Sequence, residues 1–414
     1  MAISNGSPNP LNVSIVGAGI AGLTAAIALR RQGHLVQVFE ASEIKTEIGA
    51  GLGVQPNALR VLDHLGVSMD KLGGHPHYGH IPFNPETGEA IGGTTPFLPP
   101  GTEKQKPGLM CLRPDLYTEL TLRATGDGAG PPVEVHLGSG VVACDPERGT
   151  IELSSGETIQ ADFVLGADGI NSVVRTAILG RVETAPASGL SCFRAVFEAP
   201  AAGTFPELEW VTAGVSGTRS VRMKGAAFRM IFVYPCRNGS LINFVGFFTD
   251  APGDEADWNP TGSCADIAET FHDLHPRFLR LLDLPVRGPI QKWRLRVLPR
   301  LPTWIRGRGA LMGDAAHATL PLLGQGAGVA IEEGGLIGCL LPRGTTREDV
   351  PARLQAYEDI GKDRGDFLSE ESVLQTSRIG DPAWLKRSQE VHATMRNYDA
   401  IKVAQDCYQQ RFGA

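Results

Sequence analysis

The sequence lacks any cysteine pair. Its seven cysteines, at 111, 144, 192, 236, 264, 339 and 407, never stand closer than 28 residues apart, and no C-x-x-C occurs. That spacing argues against a zinc ribbon or a redox pair, and it fits a reducing, cytoplasmic setting. Basic charge is not in excess: 38 Lys and Arg against 45 Asp and Glu leave a net charge of −7. A mildly acidic chain is a poor match for nucleic acid or an anionic membrane, so neither is an expected partner. No run of about 18 apolar residues exists to span a bilayer. The opening MAISNGSPNP has neither a charged n-region nor an apolar h-region, so it does not read as a signal peptide. The closing QQRFGA matches no lipidation or retrieval signal. There is no internal repeat and no Ser–His–Asp signature.

The chain has 414 residues, which at about 150 per domain gives two to three domains. A hydrophobic content of 42% with 20% charged residues fits a globular protein. Glycine is abundant, 51 of 414, or about 12% against a usual ~7%. The glycines cluster at a few loops, where backbone can approach a ligand closely. That clustering points to a large bound cofactor.

Along the chain, 12–16 (NVSIV) and 35–39 (LVQVF) read as strands around a helix at 22–32 that Gly33 ends. Residues 56–65 read as a helix with Pro56 at its start and Gly66 as its stop. A Gly/Pro/Thr-rich segment over 73–107 holds a hairpin around Glu86-Thr87-Gly88, and 113–124 resume a helix. Short strands follow over 131–165. From about 188 the composition changes. Runs such as SCFRAVFEA, LEWVTAGV, SVRMKG, AFRMIFVYP and SLINFVGFFT predict an antiparallel sheet. Residues 264–282 read as a helix broken at Pro276, 309–313 as a core strand, 327–341 as a Gly/Ala-rich helix, and 347–412 as mostly helical.

The strongest local signal is Gly17-Ala18-Gly19-Ile20-Ala21-Gly22, set between a strand and a helix, with Glu40 closing the next strand. Gly17 permits the tight turn, Gly19 lets the backbone approach a pyrophosphate, and Gly22 permits close helix–strand packing. The helix N-terminus offers N–H groups to phosphates. Glu40 would bind a ribose and repel a 2′-phosphate, so this site takes NAD or FAD rather than NADP. Two further motifs choose between them. One is Gly166-Ala167-Asp168-Gly169, within a run ending at Arg175; the other is Gly313-Asp314-Ala315-Ala316-His317, followed by Pro321 and Gly324-Gln325-Gly326-Ala327-Gly328. Asp314 at a strand end can bind polyol hydroxyls, and the glycine run can lay N–H groups against an anionic ring edge. Together the three motifs indicate one long cofactor.

In the order and spacing of these motifs, residues 12–360 resemble the class A FAD-dependent aromatic monooxygenases, especially the salicylate-hydroxylase-like and p-hydroxybenzoate-hydroxylase-type flavoproteins used in catabolism and in secondary-metabolite pathways. The resemblance implies an α/β fold: a Rossmann-like FAD-binding domain with an inserted antiparallel β-sheet substrate domain and a helical C-terminal region. The expected division is 1–75, 105–187 and 285–342 for FAD, 76–104 and 188–284 for the substrate sheet, and 343–414 for C-terminal helices. It implies FAD as cofactor, NADPH or NADH as co-substrate, and transfer of one O2 oxygen to an electron-rich aromatic or polyketide-like molecule through a C4a-hydroperoxyflavin. By resemblance Gly17, Gly19, Gly22 and Glu40 bind the adenosine and pyrophosphate end. Gly53 lies against the cofactor by backbone contacts, Arg113 reaches the pyrophosphate and ribityl region, Asp314 binds the ribityl chain, and Gly326 and Ala327 sit at the flavin's pyrimidine edge. Asp168 belongs to the segment linked to both FAD and NAD(P)H. A flavin-dependent halogenase shares this fold, but no W-x-W-x-I-P segment occurs, and Trp258 and Trp293 are isolated. A flavin reductase or dehydrogenase without oxygen transfer, or a non-catalytic GDI-like binding protein, are the alternatives.

Two residues of the inserted sheet are candidate catalytic groups. Arg194 sits in the otherwise apolar CFRAVF, where an unpaired charge is costly to bury, and it is suited to holding a phenolate. Tyr234 is the only tyrosine between 118 and 356 and can hydrogen-bond a substrate oxygen. The triplet His75, His77 and His80 reads as an ordinary loop near the substrate entrance, and no metal is expected. Arg219, Arg222, Lys224 and Arg229 read as a solvated basic face, Glu332-Glu333 as a helix surface pair, and His317 as packed near the cofactor.

Overall fold

The computed structural model describes residues 9–43, 50–92, 95–96, 106–201, 203–223, 225, 227–250, 261–376 and 382–413. The chain opens with β1 (Asn12–Val16), α1 (Ile20–Arg31) and β2 (Leu35–Phe39). Four of the five β1 residues are buried, and eleven of the twelve in α1, so this unit forms the centre of the first layer. Helix α1 begins at Ile20, two residues before the expected start, because it starts directly behind Gly19. A Cβ on Gly22 would lie 2.0 Å from the Gly17 carbonyl oxygen, so only glycine lets the first turn pack there.

A six-stranded sheet runs in the order Ile305–Arg306, Gly309–Leu311, Phe163–Gly166, β1, β2, Glu134–His136. All its pairings are parallel except that of Ile305–Arg306. Helices cover it, as a parallel sheet requires. The Gly326–Leu340 helix packs on α1, where Gly334 and Gly338 admit the Thr24 and Ala28 backbone turns. The Pro56–Leu65 helix starts with Pro56 and ends at Gly66, whose φ of 71° is the left-handed stop read from the sequence.

The second sheet has eight strands, in the order Thr261–Gly262, Ile290–Arg296, Ala187–Glu198, Leu241–Thr249, Arg229–Cys236, Gly217–Arg222, Gly79–Phe83, Thr95–Pro96. It is antiparallel but for the Gly217–Arg222/Gly79–Phe83 pair. Ile290–Arg296 lies within this sheet, beside Ala187–Glu198, rather than in the returning cofactor segment expected from residue 285. Its alternating charged residues mask a strand whose Ile290 and Leu295 are buried. The expected strand LEWVTAGV is instead a short turn of helix, Glu209–Thr212. Trp210 and Val211 are both buried there, with Trp210 edge-on to Phe83 and Phe278. The 264–282 helix divides as Cys264–Thr270 and Pro276–Leu279, since Pro276 opens the second piece.

One face of this sheet is a closed core. Phe193, Ala195, Phe197, Ile231, Val233 and Phe244 pack there against Ile267, Phe271 and Phe278 of the following helices. The other face turns toward the first sheet. The helices Val350–Leu374, Pro382–Asn397 and Ala400–Phe412 complete the chain. Among the described residues no helix is long and apolar enough to cross a membrane.

Candidate active site

The three glycine motifs converge because their strands are neighbours. Gly17 (φ 98°) packs so tightly on the second motif that a Cβ would stand 2.3 Å from the Ala167 oxygen. Ala167 N donates to Val16 O at 2.8 Å, and Met312 N to Gly166 O at 2.9 Å. A Cβ on Gly313 would lie 3.0 Å from the Ala21 Cβ. Gly19 differs from these: a Cβ there meets nothing within 4 Å. It stands as the N-cap of α1 with no side-chain cap, so open space lies before unsatisfied helix N–H groups. Gly326, which opens its helix behind the uncapped Gln325, has the same open space. A long phosphate-bearing cofactor fits this pair of uncapped, uncrowded helix starts.

Glu40 lies at the end of β2. Its carboxylate accepts from Ala18 N at 2.9 Å and Ser42 N at 3.1 Å, which fixes it at the rim of the first glycine turn. Gly53 lies on Gly51–Val54, paired with Met110 of Gly108–Leu112. Arg113 follows that strand as the first residue of the Arg113–Thr125 helix, and its N–H donates to Ala50 O. Asp115 of the same turn is held by Arg237 through two bonds of 2.6 and 2.9 Å.

Asp168 is committed to its own turn. It accepts from Ser172 Oγ at 2.6 Å, Val173 N at 2.7 Å and Val174 N at 3.2 Å, starting the Val173–Leu179 helix. Burial pushes its carboxyl up, against these hydrogen bonds. Asp314 is the opposite case, the one exposed residue in the otherwise buried stretch Leu311–Ala318.

The Glu332-Glu333 pair is not on a surface. Both residues are 1% exposed. Glu333 accepts from Gly313 N at 2.7 Å and from His317 Nε2 at 2.5 Å, so one carboxylate holds the whole Gly313–His317 turn. Burial disfavours a charged His317, yet Glu333 prevails and raises its pKa. Glu332 receives a fork from Arg364 and a bond from Asn57 Nδ2 at 2.6 Å. Asn57 also donates to Gln325 Oε1 at 3.0 Å, tying the start of the Gly326–Leu340 helix to the Pro56–Leu65 helix. Two acids in the apolar run GAGVAIEEGGLIGCL were the available signal: a helix apolar all round is buried, and so are its charges.

Strand register places the substrate-sheet candidates. Gln291, Arg194, Val245, Phe232 and Ser220 form one row across five strands. Trp293, Cys192 and Phe247 lie on one side of it, and Val196, Asn243 and Tyr234 on the other. Because side chains alternate along a strand, all of these face away from the closed core. Phe232, Val245, Phe247 and Trp293 make an apolar patch there with Leu320 and Leu322, from the loop between Asp314 and Gly326. That loop brings the sheet face against the cofactor side.

Arg194 lies with its guanidinium 4.5 Å from the Trp293 ring centroid and beside the Cys192 thiol. Its Nε is buried without a hydrogen-bond partner. Tyr234 is 8% exposed, and among the described residues its hydroxyl makes no hydrogen bond. Burial drives that hydroxyl well above its usual range, and Arg194 acts in the opposite sense. Tyr234 stands opposite Asn243, whose Oδ1 accepts from Gly51 N at 2.6 Å. A Cβ on Gly51 would collide with both side chains, so this is where the cofactor-side backbone meets the substrate sheet.

The histidines of HPHYGH sit on strands rather than in a loop. His80 bonds Thr218 Oγ1 and Ser220 Oγ, each at 2.9 Å, and His77 bonds Gln55 at 3.2 Å. Burial, with Arg219 adding, pushes His80 down to about 4. Among the described residues no group of three or more His, Cys, Asp or Glu is placed to hold a metal ion. Nor is the basic group a solvated face. Arg219 is 1% exposed and donates to backbone carbonyls, including Trp210 O at 3.1 Å and Ala213 O at 2.8 Å. Arg229 forms a fork to Asp273, and Arg222 lies over Phe228; Lys224 lies outside the described residues.

Comparison with known proteins agrees with this geometry. Residues 10–372 match the FAD binding domain family. Hispidin-3-hydroxylase of Neonothopanus nambi is 39% identical over 410 residues, covering 95% of each chain. An FAD-dependent monooxygenase, cfoG, of Aspergillus candidus is 34% identical over 376 residues, covering 86% of this chain and 83% of its own. A salicylate hydroxylase substrate complex shares the fold with a TM-score of 0.76 at 23% identity, over 96% of this chain and 98% of that one. The chain therefore belongs to the FAD binding domain family, among its FAD-dependent monooxygenases.

Proposed function

We propose that the chain inserts one atom of O2 into an electron-rich aromatic or polyketide-like ring at the expense of NAD(P)H. The observation that carries this reading is Arg194: a cation with an unpartnered Nε, on the sheet face that meets the Leu320–Leu322 loop. The names of the relatives support it, since two are a hispidin-3-hydroxylase and a 6-hydroxynicotinate 3-monooxygenase.

FAD, when bound, would supply the redox chemistry, hydride acceptance from NAD(P)H and activation of O2. The protein's residues bind and orient. Gly19 leaves room for the pyrophosphate before α1, and Gly17 and Gly22 keep the turn closed beneath it. Glu40 receives the ribose hydroxyls, Arg113 the pyrophosphate and ribityl region, Asp314 the ribityl chain, and Gly326 and Ala327 the ring edge, while the Gly53 backbone lies against the cofactor. Asp168 shapes the neighbouring turn. Arg194 favours the phenolate, a stronger nucleophile than the phenol, and each pKa unit so gained corresponds to about 1.4 kcal/mol. Tyr234 orients the substrate oxygen. The apolar patch of Phe232, Val245, Phe247 and Trp293 keeps water from the reacting ring.

Rapid-mixing kinetics on Arg194→Gln test the reading. Reduction of bound flavin by NADPH or NADH stays within about threefold of wild type, while hydroxylation of a phenol falls about 100-fold, two pKa units' worth. Equal losses in both halves would remove Arg194 from substrate activation.

A further inference from the structure

Besides Arg194 Nε the substrate face holds three more buried polar atoms without partners, Gln291 Oε1, Trp293 Nε1 and Asn243 Nδ2, and of these only Gln291 Oε1 is an acceptor. Gln291 lies directly opposite Arg194 in the strand register, and Trp293 directly opposite Cys192. Directly opposed residues have Cβ atoms about 5 Å apart on the same face. Ile290, the neighbour of Gln291, packs in the closed core on the other face, which fixes the direction of the Gln291 side chain. Gln291 is 6% exposed, and among the described residues its amide makes no hydrogen bond. An unpaired amide is costly to bury unless a ligand completes it. Arg194 Nε and Trp293 Nε1 can only donate, whereas the amide carries both a donor and an acceptor.

We propose that Gln291 is a specificity-determining residue, reading a second oxygen substituent adjacent to the ring oxygen held by Arg194. The substrate class is a ring with two neighbouring oxygen functions, one of which keeps a hydroxyl proton. The ionised oxygen accepts from Arg194, and the neighbouring O–H donates to the Gln291 carbonyl oxygen. A ring with one oxygen leaves the amide unpaired and loses that bond. A site built around a hydroxyl rejects analogues lacking it more strongly than an apolar pocket rejects a missing methylene. This inference rests on the reading of Arg194 given above.

Binding of catechol, phenol and 2-methoxyphenol to the FAD-loaded protein, read from the flavin absorbance difference without NAD(P)H, tests it. Wild type binds catechol at least tenfold tighter than phenol, and 2-methoxyphenol, which has no second proton to give, behaves as phenol. In Gln291→Met the catechol preference disappears, while phenol binding changes by less than twofold. The proposal is overturned if wild type does not prefer catechol, if 2-methoxyphenol matches catechol, or if Gln291→Met weakens both rings alike. Should that variant fail to retain FAD, the three ligands on wild type still decide. A Gln291-dependent preference without oxygen transfer on addition of NADPH contradicts the proposed function and leaves this assignment standing.

Discussion

The His317 imidazole and the Glu333 carboxylate meet at 2.5 Å in the interior, where each side chain is at most 2% exposed. The same carboxylate takes the Gly313 N–H at 2.7 Å, so a residue of the following Gly326–Leu340 helix shapes the turn that presents Asp314. Trp304 covers the His317 ring at 5.3 Å between centroids, and a Cβ on Gly365 would touch both rings.

Removing the acid leaves a buried imidazole and a backbone N–H without their partner. Glu333→Ala is expected to cost about 3 kcal/mol, the range for breaking a buried pair, and to weaken FAD retention through the Asp314 turn. Denaturant unfolding and equilibrium dialysis of FAD check both effects. Unchanged FAD affinity would separate the turn from the cofactor.

The pair also sets a pH dependence. The folded-state pKa of His317 is raised above its usual 6.5. The stability it contributes is fully present below about 6.5 and is lost as pH rises through the folded value. The difference in unfolding free energy between wild type and His317→Asn is therefore expected to shrink as pH rises above about 6.5, measured at saturating FAD.

His80 titrates in the opposite sense. Its folded pKa of about 4 lies below 6.5, so its contribution is present above 6.5 and lost as pH falls toward 4. His80→Gln is expected to flatten the acid limb of the stability profile. His392, also at about 4, lies within electrostatic reach of His80, so the double variant is not expected to be additive.

Two glycines only two positions apart, Gly17 and Gly19, are expected to fail differently. Gly19→Ala adds a Cβ into open space, so the fold keeps its stability while FAD affinity drops at least tenfold. Gly17→Ala places a Cβ against the Ala167 oxygen at a φ of 98°, so stability itself falls. Thermal unfolding with and without FAD distinguishes the two. A Gly19→Ala protein that keeps full FAD affinity would contradict the pyrophosphate assignment.

Much of the cofactor side was legible in the sequence because its constraints are local. Gly22, Pro56 and Gly66 each answer to a turn or cap that neighbouring residues define. The burial of Glu332 and Glu333 could be read from the apolar run around them, but their partners were hidden, because His317, Arg364 and Asn57 arrive from other elements. The substrate face was half visible. Arg194 stood out in an apolar strand, but Gln291, Trp293 and Asn243 become partners of that face only through sheet register. His77 and His80 looked like loop residues because they lie on two short strands, one completed by Gly108–Leu112 and the other by Gly217–Arg222, about 140 residues later.

The central claim is oxygen transfer, and its most direct measurement is turnover under 18O2. NADH and NADPH oxidation would be followed over a panel of phenols and polyketide-like aromatics, with hydrogen peroxide counted in parallel. The account predicts that one ring compound accelerates oxidation, that its product carries one 18O atom, and that peroxide stays well below the nicotinamide consumed. Accelerated oxidation with matching peroxide and no label in any product would contradict it and identify a flavin reductase or oxidase instead.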